Sequence, residues 1–503
     1  MSLPSSMLLF GMLVTWATPI WLLSVGAALG VAALGLAYGV LYLVSRPGAQ
    51  WVLAGVREGI LLPIAYLALG LAAFAVAAPL LIPNLPYRQL LDSVTRLSAV
   101  GTREFEFTIP PATADFKLDA LQVPLTELTS FHAQSDAPVA VHTNILFNFG
   151  QLVAFRTSPG EPFEWNKPVL TEKERNVQDP YTIWTATNVS PKPAVLKIRT
   201  VTDIEFPSVR VVPGTALALL GLVGGYLLVR LTMPKVASIA LTTGKESMSQ
   251  PLFYVVMALG VFALLAFIFV PYNTFGEDVK MLKDSGLTLI MVLAMIVAVW
   301  SASVSVSEEV EGRTALTVLS KPVTRRQFVL GKFLGVLGPV VVLFIVLGLL
   351  FLVTISFKVV YDSREVAKSE PPWQLCYTEV IRTVPGLVLA FLETVVLASI
   401  SVAISTRLPM VANLIVCASI YVLGHLVPML VNSSVGKFEI VRFVGQFIAT
   451  ILPVLDHFNI QAAVAAGAVV PMSYLGMALV YCLLYSTIAM LLGLAMFEDR
   501  DLA

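Results

Sequence analysis

Charge is scarce in this chain. Asp, Glu, Lys and Arg make up 13% of 503 residues, and 32 basic residues cancel 32 acidic ones. No global field therefore exists to hold nucleic acid or to steer an acidic partner. Cysteine is scarcer still. Of the three, Cys417 and Cys482 fall in apolar runs and Cys376 in a polar stretch, so no pair is placed to staple an extracytoplasmic domain. Histidine numbers four. His132 and His142 have no Cys or carboxylate pattern around them, and no metal site is expected. A phosphate-binding loop is also missing, because Gly244-Lys245 is followed by Glu246 and lacks the preceding glycine. No cluster of acids, His or Cys gathers at one membrane face, so no catalytic residue is assigned and no bound cofactor is expected.

Apolar residues are abundant: they form 57% of the chain, with a mean hydropathy of +0.84. A soluble domain does not reach such values, and the chain reads as a polytopic membrane protein. Runs long enough to cross a bilayer stand at Trp21 to Val44, Ile60 to Ile82, Thr215 to Leu231, Leu252 to Val270, Leu287 to Val306, Phe333 to Ile355, Val384 to Ser405, Val411 to Leu430 and Tyr474 to Met496. That is nine helices. Met7 to Ala17 is also apolar and precedes Pro19, which reads as an interfacial helix or a separate crossing. It has no basic flank or small-residue cleavage site, so the N-terminus is expected to be retained and not cleaved as a signal peptide.

The densest charge lies between the fifth and sixth runs. From Glu308 to Lys332 the chain carries Arg313, Lys321, Arg325, Arg326 and Lys332, a density that marks a cytoplasmic loop. Alternation then puts Arg46 to Glu58, Met233 to Gln250, Arg407 and the tail from Glu498 inside. The stretch Lys358 to Thr383 dissents, since Lys358, Arg364, Lys368 and Arg382 are assigned outside.

Residues 83–213 differ in kind. Alternating segments such as Glu104 to Ile109, Val139 to Asn144, Ile183 to Asn188 and Ala194 to Thr200 are punctuated by Pro, Gly and Asn. About 130 residues suffice for one core, and the spacing predicts an extracytoplasmic, immunoglobulin-like β-sandwich. Phe163, Trp165 and Trp184 are expected in that core. The domain reading is thus residues 1–82 as N-terminal membrane spans and 83–213 as the β-sandwich. Residues 214–250 form a third span with a cytoplasmic elbow or linker, and 251–503 a six-helix core.

Within that core, Glu393 falls inside the span Val384 to Ser405, where a carboxylate is costly and faces protein or a water-filled cavity. It reads as a pathway or packing residue. His425, in the following span, is a weaker member of the same class.

The charged loop carries a resemblance. Glu308 and Glu309, then Arg313-Thr314, Leu319-Ser320-Lys321-Pro322, Arg325 and Gly331-Lys332 follow the order found in ABC-2 type permeases. These are the membrane subunits of one class of ATP-driven transporter. Glu311 and Gly312 depart from it, standing where many members have a charged pair. The similarity covers roughly Lys235 to Asp501 and is greatest to the branch around multicopper-enzyme maturation and export. It implies that Glu308, Glu309, Glu311, Arg313, Thr314, Leu319, Ser320, Pro322, Arg325, Gly331 and Lys332 form an ATPase-coupling segment. Arg325, Arg326 and Lys332 are expected near anionic headgroups. It also implies an amphipathic elbow at Pro234 to Gln250, a separately encoded subunit that hydrolyses ATP with Mg, and a second permease copy, identical or related. Export across a bacterial cytoplasmic membrane follows from the same resemblance, with lipid around the spans and an extracytoplasmic protein as partner of the β-domain. The rival reading is a non-transporting scaffold or mechanotransmission subunit, in which the helices anchor the β-domain or relay ATPase motion.

Overall fold

The computed structural model describes residues 5–57, 59–121, 123, 127–143, 154–167, 184–270, 277–308, 323–365, 369–432 and 439–498. The chain forms two compact units, Pro86–Arg210 and the remainder, Met1–Leu85 with Val211–Ala503. In chain order the first helices are α1 (Ser5–Val44), α2 (Arg46–Arg57) and α3 (Leu61–Leu81). The smaller unit follows, with α4 (Tyr87–Thr95) and strands β1 (Gly101–Ile109), β2 (Phe116–Lys117), β3 (Leu128–Ser135), β4 (Val139–Thr143), β5 (Ala154–Thr157), β6 (Phe163–Asn166), β7 (Trp184–Asn188) and β8 (Ala194–Thr202). The larger unit resumes with α5 (Val211–Thr232), α6 (Pro234–Ser249), α7 (Pro251–Phe269) and α8 (Asp278–Ala302). Then come α9 (Arg325–Glu365), α10 (Trp373–Ser405), α11 (Met410–Asn432), α12 (Glu439–Ile451), α13 (Gln461–Ala465) and α14 (Met472–Glu498).

Among the described residues nine helices are long and apolar enough to cross a membrane: α1, α3, α5, α7, α8, α9, α10, α11 and α14. This is a polytopic helical membrane protein with an inserted β-domain, as the hydropathy pattern predicts. The most enclosed helices are α8 and α10, each with 72% of its apolar window buried, against 6% for α5. The membrane core therefore centres on α8, α9 and α10, where Leu287, Ala298, Val340, Leu347, Phe351, Val396 and Ala398 pack together. Helix α8 does not stop at Ala302 but widens into a π-helical turn over Ser303–Glu308, a geometry common where a helix changes role.

Two sequence expectations change here. Met7 to Ala17 is neither a separate crossing nor a detached interfacial helix, because α1 runs continuously from Ser5 to Val44 through Pro19. Nor is Lys358 to Thr383 a loop. Helix α9 extends through 41 residues to Glu365, about 60 Å at about 1.5 Å per residue, twice the hydrocarbon thickness of about 30 Å. Two basic residues of that dissenting stretch, Lys358 and Arg364, are engaged by acids. Lys358 Nζ lies 2.9 Å from Asp362 Oδ1 and donates to the Ile268 carbonyl at 3.0 Å. Arg364 meets Glu370, and the fully buried Lys283 of α8 pairs with Glu379. The positive-inside pattern counts lysines and arginines without their partners. Before the last span, α12 exposes Ile440, Phe443, Val444 and Phe447. Its 13 residues are too few to cross a bilayer.

The smaller unit is a two-sheet antiparallel sandwich with strand orders β1-β8-β3-β6 and β2-β7-β4-β5. β1 and β8 pair along their whole length, from Gly101 opposite Thr202 to Ile109 opposite Ala194. The domain's two ends thus leave side by side, as insertion into a helical chain requires. Phe131 of one sheet stacks on Trp184 of the other with centroids 5.1 Å apart, and Trp165 and Trp184 are buried as expected. His132 faces Glu164 at 3.3 Å.

Candidate functional site

The helix that leaves the charged segment is held unusually close to its neighbour. α9 is preceded by Thr324, whose backbone N–H donates to Gln327 Oε1 at 3.1 Å while the Gln327 N–H donates to Thr324 Oγ1 at 3.3 Å. This reciprocal cap fixes where the helix starts. Behind it, Gly331, Gly335 and Gly338 line one face. A Cβ on Gly335 would stand 2.5 Å from the Thr243 Cβ and 2.9 Å from the Ala240 carbonyl, and one on Gly331 would stand 2.7 Å from the Ile239 Cβ. Gly244 of α6 reciprocates, since a Cβ there would stand 3.2 Å from the Gly335 carbonyl. Small residues let two helix backbones approach in this way, so α6 and the first turns of α9 form one seam.

The helix that enters the charged segment is tied down separately. From α11, Asn413 Nδ2 lies 2.7 Å from Ser303 Oγ in the π-turn, and 2.8 and 2.9 Å from Ser401 and Ser405 Oγ of α10. Two amide hydrogens serve three hydroxyls, while Asn413 Oδ1 accepts from Cys417 Sγ at 3.3 Å. Ser301 and Ser247 share a further hydrogen bond between α8 and α6.

Arg325 crosses to the end of α14, where its Nη1 donates to the Glu498 carbonyl at 2.6 Å and the Phe497 carbonyl at 3.3 Å. Arg407 Nε donates to the Met496 carbonyl at 2.6 Å. Two arginines thus cover carbonyls that a helix C-terminus leaves open and that carry its negative dipole end.

Deeper in the bundle α10 and α11 meet through Glu393 and His425. The carboxylate is fully buried, and its Oε1 lies 2.8 Å from His425 Nε2. Tyr421 meets the imidazole edge-on at 4.9 Å. His425 and Tyr421 border a cavity of about 530 Å³ between α8, α11 and α13, with Asp284, Thr288, Asn459 and Gln461 on its wall. Thr288 Oγ1 donates to Gln461 Oε1 at 2.7 Å. The cavity holds both polar groups and apolar wall, and among the described residues no Lys or Arg lines it.

Residues 212–502 match the family described as ABC-2 family transporter protein, more than half of the chain. The chain belongs to the ABC-2 transporter family. It is a multi-pass permease, the membrane component of an ABC transporter, and its family works with an ATP-binding subunit. The match takes in α5 to α14 and leaves out α1 to α3 and the β-sandwich. No curated protein matches the permease.

Most of the coupling segment expected from the sequence lies outside the described residues: Glu309, Glu311, Arg313, Thr314, Leu319, Ser320 and Pro322. Glu308 closes the π-turn. Of the rest, Gly331 sits in the α6 seam and Arg325 on the α14 terminus. Lys332 is 4% exposed with Nζ 5.6 Å from the Phe328 ring centre, and so does not reach a headgroup. Only Arg326 of those three cations is exposed. Glu393 and His425, treated separately in the sequence, form one pair in the permease. Asn413 and the Thr324–Gln327 cap were missed. The cap had a signal, Thr-x-x-Gln ahead of an apolar run, whereas a lone Asn in an apolar span does not announce three serine partners.

Proposed function

We propose that the chain is the permease subunit of an ATP-driven exporter and that residues 308–332 receive force from a separately encoded ATP-binding subunit. The observation that carries this reading is the anchoring of both helices that flank the segment. Its entry is tied through Ser303 to Asn413 and onward to α10, and its exit lies in the glycine seam with α6. Displacement of the segment would therefore move packed helices and not only a loop, which is what a two-state linkage requires. The partner would hydrolyse ATP with Mg. A second permease copy would complete the unit, and the charge distribution supports a cytoplasmic segment with the β-sandwich outside. The multicopper-enzyme maturation branch and a bacterial cytoplasmic membrane belong to this proposal on sequence resemblance.

Transport is favoured over a passive scaffold by the cavity that His425, the partner of Glu393, borders. A scaffold has no need for a buried carboxylate–imidazole pair beside a polar-lined space, whereas a pathway does. A photo-crosslinking residue placed at Thr314 or Leu319 in cells tests the docking. An adduct with an ATP-binding subunit is expected, and a segment that captures only lipid or no protein would overturn the proposal.

A further inference from the structure

Two grooves meet at Arg326. The first, about 310 Å³, runs between α9 and α14, with Leu330, Phe333, Met490, Leu491 and Leu494 on its walls. Leu483 and Leu491 are 58% and 61% exposed, so the groove opens sideways from the bundle, where acyl chains lie. The second, about 330 Å³, sits between the α5–α6 turn and α9, and places Lys235, Thr232 and Gln327 beside Arg326. Among the described residues, neither groove is lined by an Asp or a Glu. Arg326 itself is exposed and pairs with no carboxylate among the described residues, unlike Arg325 next to it, whose hydrogens are taken by α14.

The dimensions suit one molecule. Phe328 stacks on Phe497 with centroids 5.6 Å apart, which sets the level of the groove's charged end. From Phe497 back to Leu483, α14 covers about 21 Å at about 1.5 Å per residue, enough for one leaflet's share, about 15 Å, of the hydrocarbon core. A cationic end, a wall without acids among the described residues and an apolar slot of leaflet depth form a basic pocket between transmembrane helices.

We propose that this is a binding site for one anionic phospholipid. Its phosphodiester meets the Arg326 guanidinium, which matches phosphate oxygens in a two-pronged geometry. Lys235 adds charge, and one acyl chain lies along the α9–α14 groove. A zwitterionic lipid fits the slot equally well, but its ammonium group is opposed by Lys235. The site is independent of the ATPase reading, since it needs neither a partner subunit nor turnover.

Native mass spectrometry of the full-length protein tests it, with equal amounts of phosphatidylglycerol and phosphatidylcholine bearing the same acyl chains. Wild type is expected to keep one phosphatidylglycerol in preference to phosphatidylcholine. Arg326→Gln should lower that retention about fivefold, and Leu494→Trp should lower it by filling the slot with the arginine intact. Lys280→Gln, on an exposed side chain elsewhere, serves as the control and leaves retention unchanged, and each variant is compared only where it elutes as a single species. Equal retention of the two lipids, or a preference that survives Arg326→Gln, would overturn the proposal. Displacement by soluble glycerophosphoglycerol would instead make this a headgroup-sized anion site, and the lipid assignment would fall.

Discussion

Glu393 of α10 and His425 of α11 are joined at 2.8 Å in the interior of the bundle, with the carboxylate shut off from solvent. Burying a charge this way is tolerated only while the partner stays. His425→Leu is therefore expected to lower the melting temperature in detergent sharply, by the equivalent of about 3 kcal/mol. Glu393→Gln keeps a carbonyl acceptor for the imidazole and should cost about 1 kcal/mol. Equal, small effects would show that the pair does not hold α10 to α11.

The glycine seam gives a contrast within one protein. Gly335→Leu must push α6 away from α9, because even a Cβ would stand 2.5 Å from the Thr243 Cβ, and a loss of about 1–3 kcal/mol is expected. Gly221→Ala on α5 has open space around it and should be neutral or raise stability by up to about 1 kcal/mol through helix propensity. Thermal unfolding of the two variants checks the order. A Gly335→Leu protein as stable as wild type would mean that the two backbones are not in close approach.

Lys283 is fully buried and meets Glu379 across α8 and α10. Removing one partner by Lys283→Met leaves the other without its counter-charge, so a loss of about 3 kcal/mol is expected, with much of it recovered in Lys283→Met/Glu379→Leu. A double variant no better than the single one would place the cost in packing.

The β-sandwich should fold by itself, since residues 86–210 carry their own core of Ile109, Leu128, Phe131, Val141, Trp184 and Leu196. A pH signature follows from Glu127. Burial pushes its carboxyl above the ordinary 4.5, more than Arg96 pulls it down, and Glu205 and Asp203 push the same way. With the folded value raised, the folded state holds its proton more tightly. The stabilisation is complete below the unfolded value and is lost as pH rises through the folded one. In chemical denaturation of the isolated domain, wild type should gain stability relative to Glu127→Gln as pH falls from 7 toward the ordinary value. The opposite slope would show that Arg96 dominates.

Much of this arrangement was legible beforehand, and the exceptions have physical causes. Long apolar runs can satisfy their backbone only as helices in a bilayer, so the nine spans and the break in periodicity at residues 83–213 were readable. Helix ends were not, because α9 continues past its apolar part to Glu365 on the strength of ion pairs such as Lys358 with Asp362. Pairing across helices was equally hidden. Glu393 stood out as a charge in an apolar run, but its partner lies 32 positions away on another helix, and sequence spacing carries no information about that approach.

Docking of an ATP-binding subunit on residues 308–332 is tested most directly by co-purifying the detergent-solubilised permease with that subunit and recording the ATPase rate. Wild type is compared with Glu308→Ala/Glu309→Ala and with Leu319→Asp. Loss of association or of permease-stimulated hydrolysis in the variants, with the bundle still folded, is the expected result. Unchanged binding and unchanged hydrolysis would contradict the coupling assignment and leave the scaffold reading in its place.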